Sequence, residues 1–269
     1  MVIVFAGLGA NAYIGDQLSR NIAGYQIVFR NFNWKGEDGV IFQVFRKGHK
    51  LLERRAHSLF LFDVEKQRES YDSKENTQVK CVDLTGDGIV DLIVQEWSGG
   101  AYCCYKYDIY SLGKSFKHIW HHDAVFGHLE INDVYKKPRL VIEDTAFCNF
   151  NSMAQCAGAK PKVHLVWRNG FVVDRAATIT AARKISEEIA KPDQADNKPE
   201  SEAGSKKFVY LIYSGQTTKA LLMLDGLSAQ QKRDYLSGFF TTLKKSPFYN
   251  EIVFMSQKNA LFRMEKLAK

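Results

Sequence analysis

Residues 83–91 read Asp-Leu-Thr-Gly-Asp-Gly-Ile-Val-Asp, and this spacing is typical of a loop that binds Ca²⁺. Counted from the first aspartate, side-chain oxygens fall at positions 1, 3, 5 and 9, and position 7 offers its backbone carbonyl. The glycine at position 6 allows the sharp turn that such loops need. Because hard divalent cations prefer oxygen ligands, the pattern predicts a calcium site. Its ligands would be Asp83, Thr85, Asp87, the carbonyl of Ile89, and Asp91.

The loop differs from an EF-hand at its end. Position 12 is Val94, where an EF-hand has a bidentate glutamate, and residues 91–97 read as a strand rich in branched and aromatic side chains. The plain alternative is a polar turn without a metal, because Asp and Gly are the usual turn residues. Three carboxylates within nine residues repel one another unless a cation lies among them, which favours the metal.

A second group of candidate residues consists of histidines and cysteines. Four histidines fall within eleven residues and a fifth follows: His118, His121, His122, His128 and His164. With the adjacent Cys103 and Cys104, they suggest a transition-metal site or a Cys–His nucleophile. Neither arrangement has a recognisable spacing, and neighbouring residues on a strand point to opposite faces. Surface or structural histidines are therefore favoured.

The segment 101–112 is rich in tyrosine and reads as a strand. Tyr102, Tyr105 and Tyr107 join Cys103 and Cys104 as candidates for a ligand-facing strip. The ordinary role of such a run is packing in a core and across strands. A ligand-facing strip is the alternative interpretation.

Composition places the chain among soluble globular proteins, with 45% hydrophobic and 25% charged residues in a length of 269. The net charge of +7 permits contact with an anionic partner. The basic residues are spread along the chain without an arginine-rich run, so we expect no nucleic-acid partner. We also expect no membrane span, because the apolar run at the N-terminus is too short to cross a bilayer.

The first twelve residues have two interpretations. The apolar run that ends Ala-Asn-Ala resembles the end of a secretory signal, so residues 1–12 are a candidate signal remnant. Alternatively, Gly7, Gly9 and Ala12 fit a dinucleotide-binding fingerprint, with Arg30 at the end of a second strand as in NADP-binding proteins. That fingerprint needs a βαβ unit, whereas the pattern after residue 30 indicates hairpins.

The hydrophobic pattern predicts an α+β protein. Residues 20–176 alternate as strands do and include an Asn-Gly hairpin turn at 169–170, so they form a β-rich domain that contains the calcium loop. Residues 177–269 have helical spacing and form a small helical domain, with a capping box at Ser228. The polar segment 191–205 has little to bury and is predicted to be a linker.

Residues 83–104, from the acidic loop through Ser-Gly-Gly-Ala-Tyr-Cys-Cys, resemble the FG-GAP or VCBS-type repeat. More closely, they resemble bacterial exported proteins of unknown function that have one such loop, then Ser-Gly-Gly-Ala-His-Cys-Cys and a helical tail. Tyr102 stands where that group has histidine. The resemblance implies calcium binding, export, and propeller-like antiparallel strands. It implies no known activity.

Export would allow a disulfide between Cys148 and Cys156, which lie in a short loop-like stretch. We therefore expect a secreted or periplasmic protein in which Ca²⁺ is structural and which binds a protein, a glycan or a polymer of the cell envelope. The first alternative is a hydrolase-type enzyme that uses the region of Cys103, Cys104, His121 and His122. The second is an NADP-binding oxidoreductase.

Overall fold

The computed structural model describes residues 17–34, 37–63, 68–69, 81–97, 104–132, 137–152, 155–189 and 198–268. These residues form thirteen strands in three antiparallel sheets, followed along the chain by six helices. The α+β class predicted from the sequence is confirmed. Residues 1–12 lie outside the described residues, and with them both interpretations of the N-terminus.

The first sheet has the strand order β1-β2-β3-β4. Its strands are β1 (Gln17–Ile22), β2 (Tyr25–Trp34), β3 (Glu37–Arg46) and β4 (His49–Ala56). Two-residue turns join β1 to β2 and β3 to β4, and each has two positive φ angles, as at Lys47 (49°) and Gly48 (79°). Such turns match the twist of the strands that they join. A dinucleotide fingerprint would need a helix where β1 pairs antiparallel with β2.

The second sheet has the order β6-β5-β7-β8-β9. Its strands are β5 (Leu59–Asp63), β6 (Arg68–Glu69), β7 (Asp91–Trp97), β8 (Tyr105–Ser111) and β9 (Lys117–Ala124). Its apolar face shares one core with the first sheet, in which Phe29, Phe42, Leu92, Val94 and Tyr110 are buried. Alternation along each strand places a second set of side chains, including the buried Ile93, Tyr107 and Ile109, on the opposite face.

The third sheet has the order β10-β11-β12-β13. Its strands are β10 (Leu129–Asn132), β11 (Arg139–Glu143), β12 (Lys162–Trp167) and β13 (Phe171–Val173). The predicted Asn-Gly turn joins the last two strands, with Asn169 at a φ of 61°. The chain divides into two compact units, one of Met1–Leu140 with Val166–Phe171 and the other of Val141–Leu165 with Val172–Lys269.

All six helices belong to the second unit. They are α1 (Arg175–Glu188), α2 (Glu202–Tyr213), α3 (Thr217–Leu222), α4 (Ala229–Leu243), α5 (Tyr249–Met255) and α6 (Lys258–Leu267). The predicted capping box is confirmed, since the Ser228 and Gln231 side chains cap α4 reciprocally. The Ser201 side chain caps α2, so that residues 202–205 of the predicted linker are helical. None of the helices described here is long and apolar enough to cross a membrane.

A buried polar group holds the second unit together beside its aromatic core. Asp144 accepts hydrogen bonds from the hydroxyls of Tyr213 and Ser246, and its other oxygen accepts the Ala146 amide at 3.0 Å. Phe239 lies at the centre of the aromatic core, and its ring centroid is 5.2 Å from that of Phe147. Because all three polar side chains of this group are nearly fully buried, we assign them a structural role.

Candidate functional site

The acidic loop lies between Val82 and β7, and Asp83 organises it from its start. Its Oδ1 accepts the Gly86 amide at 2.6 Å and the Asp87 amide at 3.2 Å. Its Oδ2 accepts the Gly88 amide at 2.7 Å. The two glycines have φ angles of 76° and 84°, a conformation that other residues rarely adopt. The first predicted ligand thus also shapes the turn.

Asp91 closes the loop at its other end. Its amide donates to the Val82 carbonyl at 2.8 Å, and its Oδ2 accepts the Leu84 and Thr85 amides at 2.8 and 2.9 Å. The residue is only 1% exposed. Its Oδ1 is buried, and no group in the described part of the chain meets hydrogen-bond geometry with it. The Ser111 side chain, opposite on β8, is the neutral polar neighbour of this carboxylate.

This environment raises the pKa of Asp91 to about 6. Burial is the main cause, because it disfavours the charged form. The hydrogen bonds from the Thr85 and Leu84 amides lower the pKa, whereas the negative charge of Asp83 raises it. At neutral pH the protein therefore holds a buried carboxylate, and none of the groups in the described ranges that shift its pKa is a cationic side chain.

The other predicted ligands lie along the same loop. The exposed Asp87 accepts the Ile89 amide on Oδ1 at 2.9 Å, and its Oδ2 lies so close to Gly113 that a Cβ there would overlap it. The half-buried Thr85 donates its hydroxyl to Asp83 Oδ1 at 3.3 Å. Ile89 is half-buried. Within the ranges described above, no three His, Cys, Asp or Glu side chains converge as a metal site.

The candidate ligand-facing strip is divided between core and surface. Tyr102 and Cys103 lie outside the described residues. Tyr107 is buried at 1% exposure, and its hydroxyl accepts the Leu129 amide at 3.4 Å, so it packs in the interior. Tyr105 is half-buried, and its ring centroid lies 5.9 Å from that of His128. Cys104 is disulfide-bonded and offers no thiolate.

The structure places Cys148 and Cys156 within disulfide distance, with a Cα–Cα separation of 4.2 Å. Asn149 supports the turn between them, because its side-chain oxygen accepts the Cys156 amide at 2.6 Å. Cys156 has a φ of 53°. Cys81 is half-buried.

The histidines are arranged by a β-bulge in β9. His121 pairs with Asp108 and His118 pairs with Tyr110, so one extra residue, Ile119, is accommodated between these pairs. Histidines three positions apart on a regular strand would face opposite sides. The bulge instead places His118 and His121 on the same face of the sheet. His122 faces the other side and stacks on Trp120, with ring centroids 5.3 Å apart.

A single buried carboxylate receives both of these histidines. Asp108 is 4% exposed, and its Oδ1 lies 2.7 Å from His118 Nε2 and 3.0 Å from His121 Nδ1. Its Oδ2 accepts a hydrogen bond from Arg54 Nη1. The second ring nitrogen of His121, Nε2, lies 3.4 Å from Asp123 Oδ1. We call these five residues the Asp108 cluster.

Arg54, from β4, joins the cluster to its neighbours. It donates to Glu96 Oε2 at 2.8 Å and to the Tyr110 hydroxyl at 3.2 Å. Burial opposes its charge, but the hydrogen bonds with Tyr110 and Asp108 raise the pKa of Arg54 above its ordinary value. Burial alone would raise the pKa of Asp108, yet hydrogen bonds from Arg54 and the histidines lower it. Asp108 is therefore ionised at neutral pH.

Sequence reasoning identified the histidines but missed their partners. Asp108, Arg54 and Glu96 come from three different strands, and the local sequence contains no motif that links them.

Comparison of the chain with protein-family models, with curated protein sequences and with solved structures finds no match.

A polar cleft lies in the second unit, with a volume of about 660 Å³. Its lining carries amide and carboxylate side chains, one serine and one tyrosine: Asn149, Asn151, Ser152, Glu200, Gln231, Asp234 and Tyr235. Burial raises the pKa of Tyr235, so its hydroxyl is neutral. The volume is in the range of small-ligand sites.

Proposed function

We propose that this protein is an exported calcium-binding module, in which Ca²⁺ at residues 83–91 stabilises the β-rich part and the protein binds a partner outside the cytoplasm. The observation that carries the proposal is Asp91, a carboxylate 1% exposed at the end of an aspartate-rich loop, whose buried Oδ1 has no hydrogen-bond partner of good geometry within the described residues and only the Ser111 hydroxyl as a weak neutral donor to the carboxylate. A buried polar atom of this kind needs a partner, and a cation is the partner that a carboxylate prefers.

The donor set fits Ca²⁺ in kind. Asp83, Asp87 and Asp91 supply hard, charged oxygens, and Thr85 and the Ile89 carbonyl supply neutral ones, with water to complete the shell. The backbone amides already shape the turn around Asp83 and Asp91. Binding would require only that the carboxylates turn toward a common centre. The negative charge that raises the pKa of Asp91 is the charge that the ion would neutralise.

Two further observations support export and the family resemblance. Cys148 and Cys156 lie within disulfide distance, and disulfides persist in oxidising compartments. The loop passes directly into a strand at Asp91, which agrees with an FG-GAP or VCBS-type repeat and with its propeller-like sheets. We therefore assign the protein to the periplasm or the extracellular space. Mass spectrometry of a digest prepared without reductant tests this: the linked peptide supports export, and two free thiols contradict it.

Among a protein, a glycan and an envelope polymer, the cleft of the second unit favours a glycan. Amide and carboxylate side chains offer paired donors and acceptors, which suit a ligand rich in hydroxyl groups. Titration with neutral oligosaccharides, monitored by the amide resonances of Asn151 and Gln231, tests this choice. Asp234→Ala should abolish the shifts, whereas Asp225→Ala, at an exposed carboxylate outside the cleft lining, should retain them. Unchanged spectra for every sugar would exclude a glycan.

Thermal unfolding with Ca²⁺ and with chelator tests the calcium site itself. An ion with a Kd of about 10⁻⁴ M would add about 1.4 kcal/mol at tenfold excess over Kd. Asp87→Ala should abolish this gain more completely than Thr85→Ala, because the hydroxyl is a neutral ligand that water can replace. Asp225→Ala serves as the control for loss of a surface carboxylate. An unchanged melting temperature in the unmodified protein would remove the proposal.

A further inference from the structure

The polar cleft of the second unit has a lining in which negative charge is in excess. The lining residues that the structure describes include Glu200 and Asp234 and no lysine or arginine. We propose that the cleft selects a glycan with a free amine, and that the two carboxylates bind its ammonium group. The inference rests on the glycan-binding function proposed above and specifies the class of sugar.

Hydrogen bonds within the protein hold the lining side chains in place. Gln231 and Asp234 are three positions apart on α4, so they lie on the same side of that helix. Gln231 also takes part in the capping box that begins α4. From a separate segment, Asn151 Nδ2 donates to Ser205 Oγ at 3.0 Å. The cleft is therefore arranged before a ligand enters.

The Tyr235 hydroxyl is the buried polar group of this cleft. Tyr235 is 7% exposed, and its Oη has no hydrogen-bond partner of good geometry within the described residues. The Ser205 side chain is a weak neutral neighbour of this hydroxyl. Ser205 donates its own proton to the Pro199 carbonyl at 2.7 Å, so it cannot also donate to Tyr235. A buried oxygen of this kind calls for a donor, which a ligand can supply.

The two carboxylates act on the same part of the cleft. Burial is the main cause of the raised pKa of Tyr235, and the negative charge of Glu200 raises it further, so this carboxylate lies near the tyrosine hydroxyl. Asp234 Oδ1 accepts the Gln230 side-chain amide at 2.8 Å. Because Gln230 is neutral, this bond leaves the charge of Asp234 in place.

The basic side chains on the neighbouring segments lie outside the described lining. Lys206 and Lys232 pair with carboxylates that do not line the cleft, at 2.8 and 3.8 Å. Arg233 donates to the side-chain oxygen of Gln230 at 2.7 Å. Lys198 is exposed. The described lining is thus locally negative in a protein whose net charge is +7.

The lining combines two kinds of recognition. An ammonium group only donates hydrogen bonds, and the two carboxylates and the tyrosine oxygen are matching acceptors. The amide side chains of Asn149, Asn151 and Gln231 both donate and accept, which suits hydroxyl groups. A sugar that carries a primary amine presents both chemistries in one ligand.

Calorimetric titration of the full chain with two matched tetrasaccharides tests the proposal. One is the β-1,4-linked tetramer of glucosamine, and the other is cellotetraose, which has a hydroxyl in place of each amine. At about pH 6, where the amine is protonated, the glucosamine tetramer should bind at least about tenfold more tightly, because hydrogen bonds between charged groups are the stronger ones. Added salt should weaken the binding of the glucosamine tetramer alone.

Variants that remove charge but keep shape locate the effect. Glu200→Gln and Asp234→Asn should each weaken binding of the glucosamine tetramer about fivefold and leave that of cellotetraose within about twofold. The double variant should bind the two tetramers equally. Tyr235→Phe should also weaken binding of the glucosamine tetramer. Asp225→Asn, at a side chain 70% exposed and outside the cleft lining, is the control and should change neither affinity.

Four results would overturn the proposal, and they separate it from glycan binding itself. Equal affinity for the two tetramers, or a preference that persists in the double variant, would remove the selection by charge and leave a glycan as the partner. Binding of spermine as tight as that of the glucosamine tetramer would show that the cleft recognises amines and not sugars. Binding of neither tetramer would remove both the glycan and this inference.

Discussion

Two buried aspartates on neighbouring strands of one sheet have pKa values that are shifted in opposite directions. Asp91 begins β7 and is 1% exposed, and its pKa is raised to about 6. Asp108 lies in β8 and is 4% exposed, and its pKa is lowered. Both receive hydrogen bonds, and both would be penalised by burial. The difference is that Arg54 and two histidines surround Asp108, whereas backbone amides, the Ser111 side chain and the carboxylate of Asp83 affect the pKa of Asp91.

The contrast shows that the Asp108 site contains its own positive charge and that the Asp91 site lacks one. Burying a carboxylate is costly unless a positive charge accompanies it. The fold provides that charge to Asp108 from its own side chains. For Asp91 it provides a turn of backbone amides and two more aspartates, an arrangement that an added cation would complete. The same principle therefore marks one aspartate as the centre of a built-in cluster and the other as a ligand for an external ion.

Removal of Arg54 should have the largest effect. Arg54→Met would leave the buried Asp108 and the half-buried Glu96 without their main cation, and breaking such a pair should lower the free energy of unfolding by about 3 to 4 kcal/mol. Urea denaturation measures the loss. Arg55→Met is the matched control, because the neighbouring side chain is 60% exposed and pairs with Glu53 at the surface. Equal losses in the two variants would show that the cluster does not stabilise the fold.

Acidification should increase the stability of the protein through Asp91, whereas loss of Arg54 should decrease it. The folded pKa of about 6 lies above the unfolded value of about 3.9, so the native state binds the proton more readily between these limits. Without Ca²⁺, stability relative to Asp91→Asn should fall by about 2 to 3 kcal/mol as pH rises from 4 to 7.

Urea denaturation of the chelator-treated proteins across this pH range measures the difference. Saturating Ca²⁺ should remove most of it above pH 6, because the ion then offsets the buried charge. A difference that does not depend on pH would show that Asp91 carries no unfavourable charge.

A methyl group at Gly113 should weaken the loop more modestly. Its Cβ would overlap Asp87 Oδ2 and push that carboxylate from its place. We expect Gly113→Ala to raise the Kd for Ca²⁺ about fivefold, which corresponds to about 1 kcal/mol. Gly226→Ala is the control, because a Cβ there meets nothing within 4 Å. If calorimetry finds equal affinities for Ca²⁺ in both variants, Asp87 is not a ligand of the ion.

The sequence predicted the loop and failed to predict the cluster for a physical reason. Asp83 and Asp91 are eight positions apart, and their hydrogen bonds stay within that segment, so the local pattern contains the geometry. The Asp108 cluster depends on a bulge at Ile119 and on Arg54, which is 54 positions from Asp108 in the chain. Strand periodicity alone would place His118 and His121 on opposite faces.

The same distinction applies to the rest of the fold. The strand at Asp91, the Asn-Gly turn and the capping box at Ser228 follow from neighbouring residues, and the structure contains all three. The burial of Tyr107 and the helical residues 202–205 depend on packing and on the cap at Ser201. The sequence favoured core packing for the tyrosine run, with a ligand-facing strip as the alternative, and Tyr107 is buried. The polar composition of residues 191–205 predicted a linker, whereas residues 202–205 are helical.

Calorimetric titration of Ca²⁺ into the unmodified protein and into Asp91→Asn tests the central contrast most directly. The account predicts one ion per chain with a Kd of about 10⁻⁴ M, and at pH 6 the release of protons as Asp91 ionises. Asp91→Asn should bind at least tenfold more weakly and release no protons at that pH. Heat no greater than that of dilution, or equal affinity in the two proteins, would contradict the account.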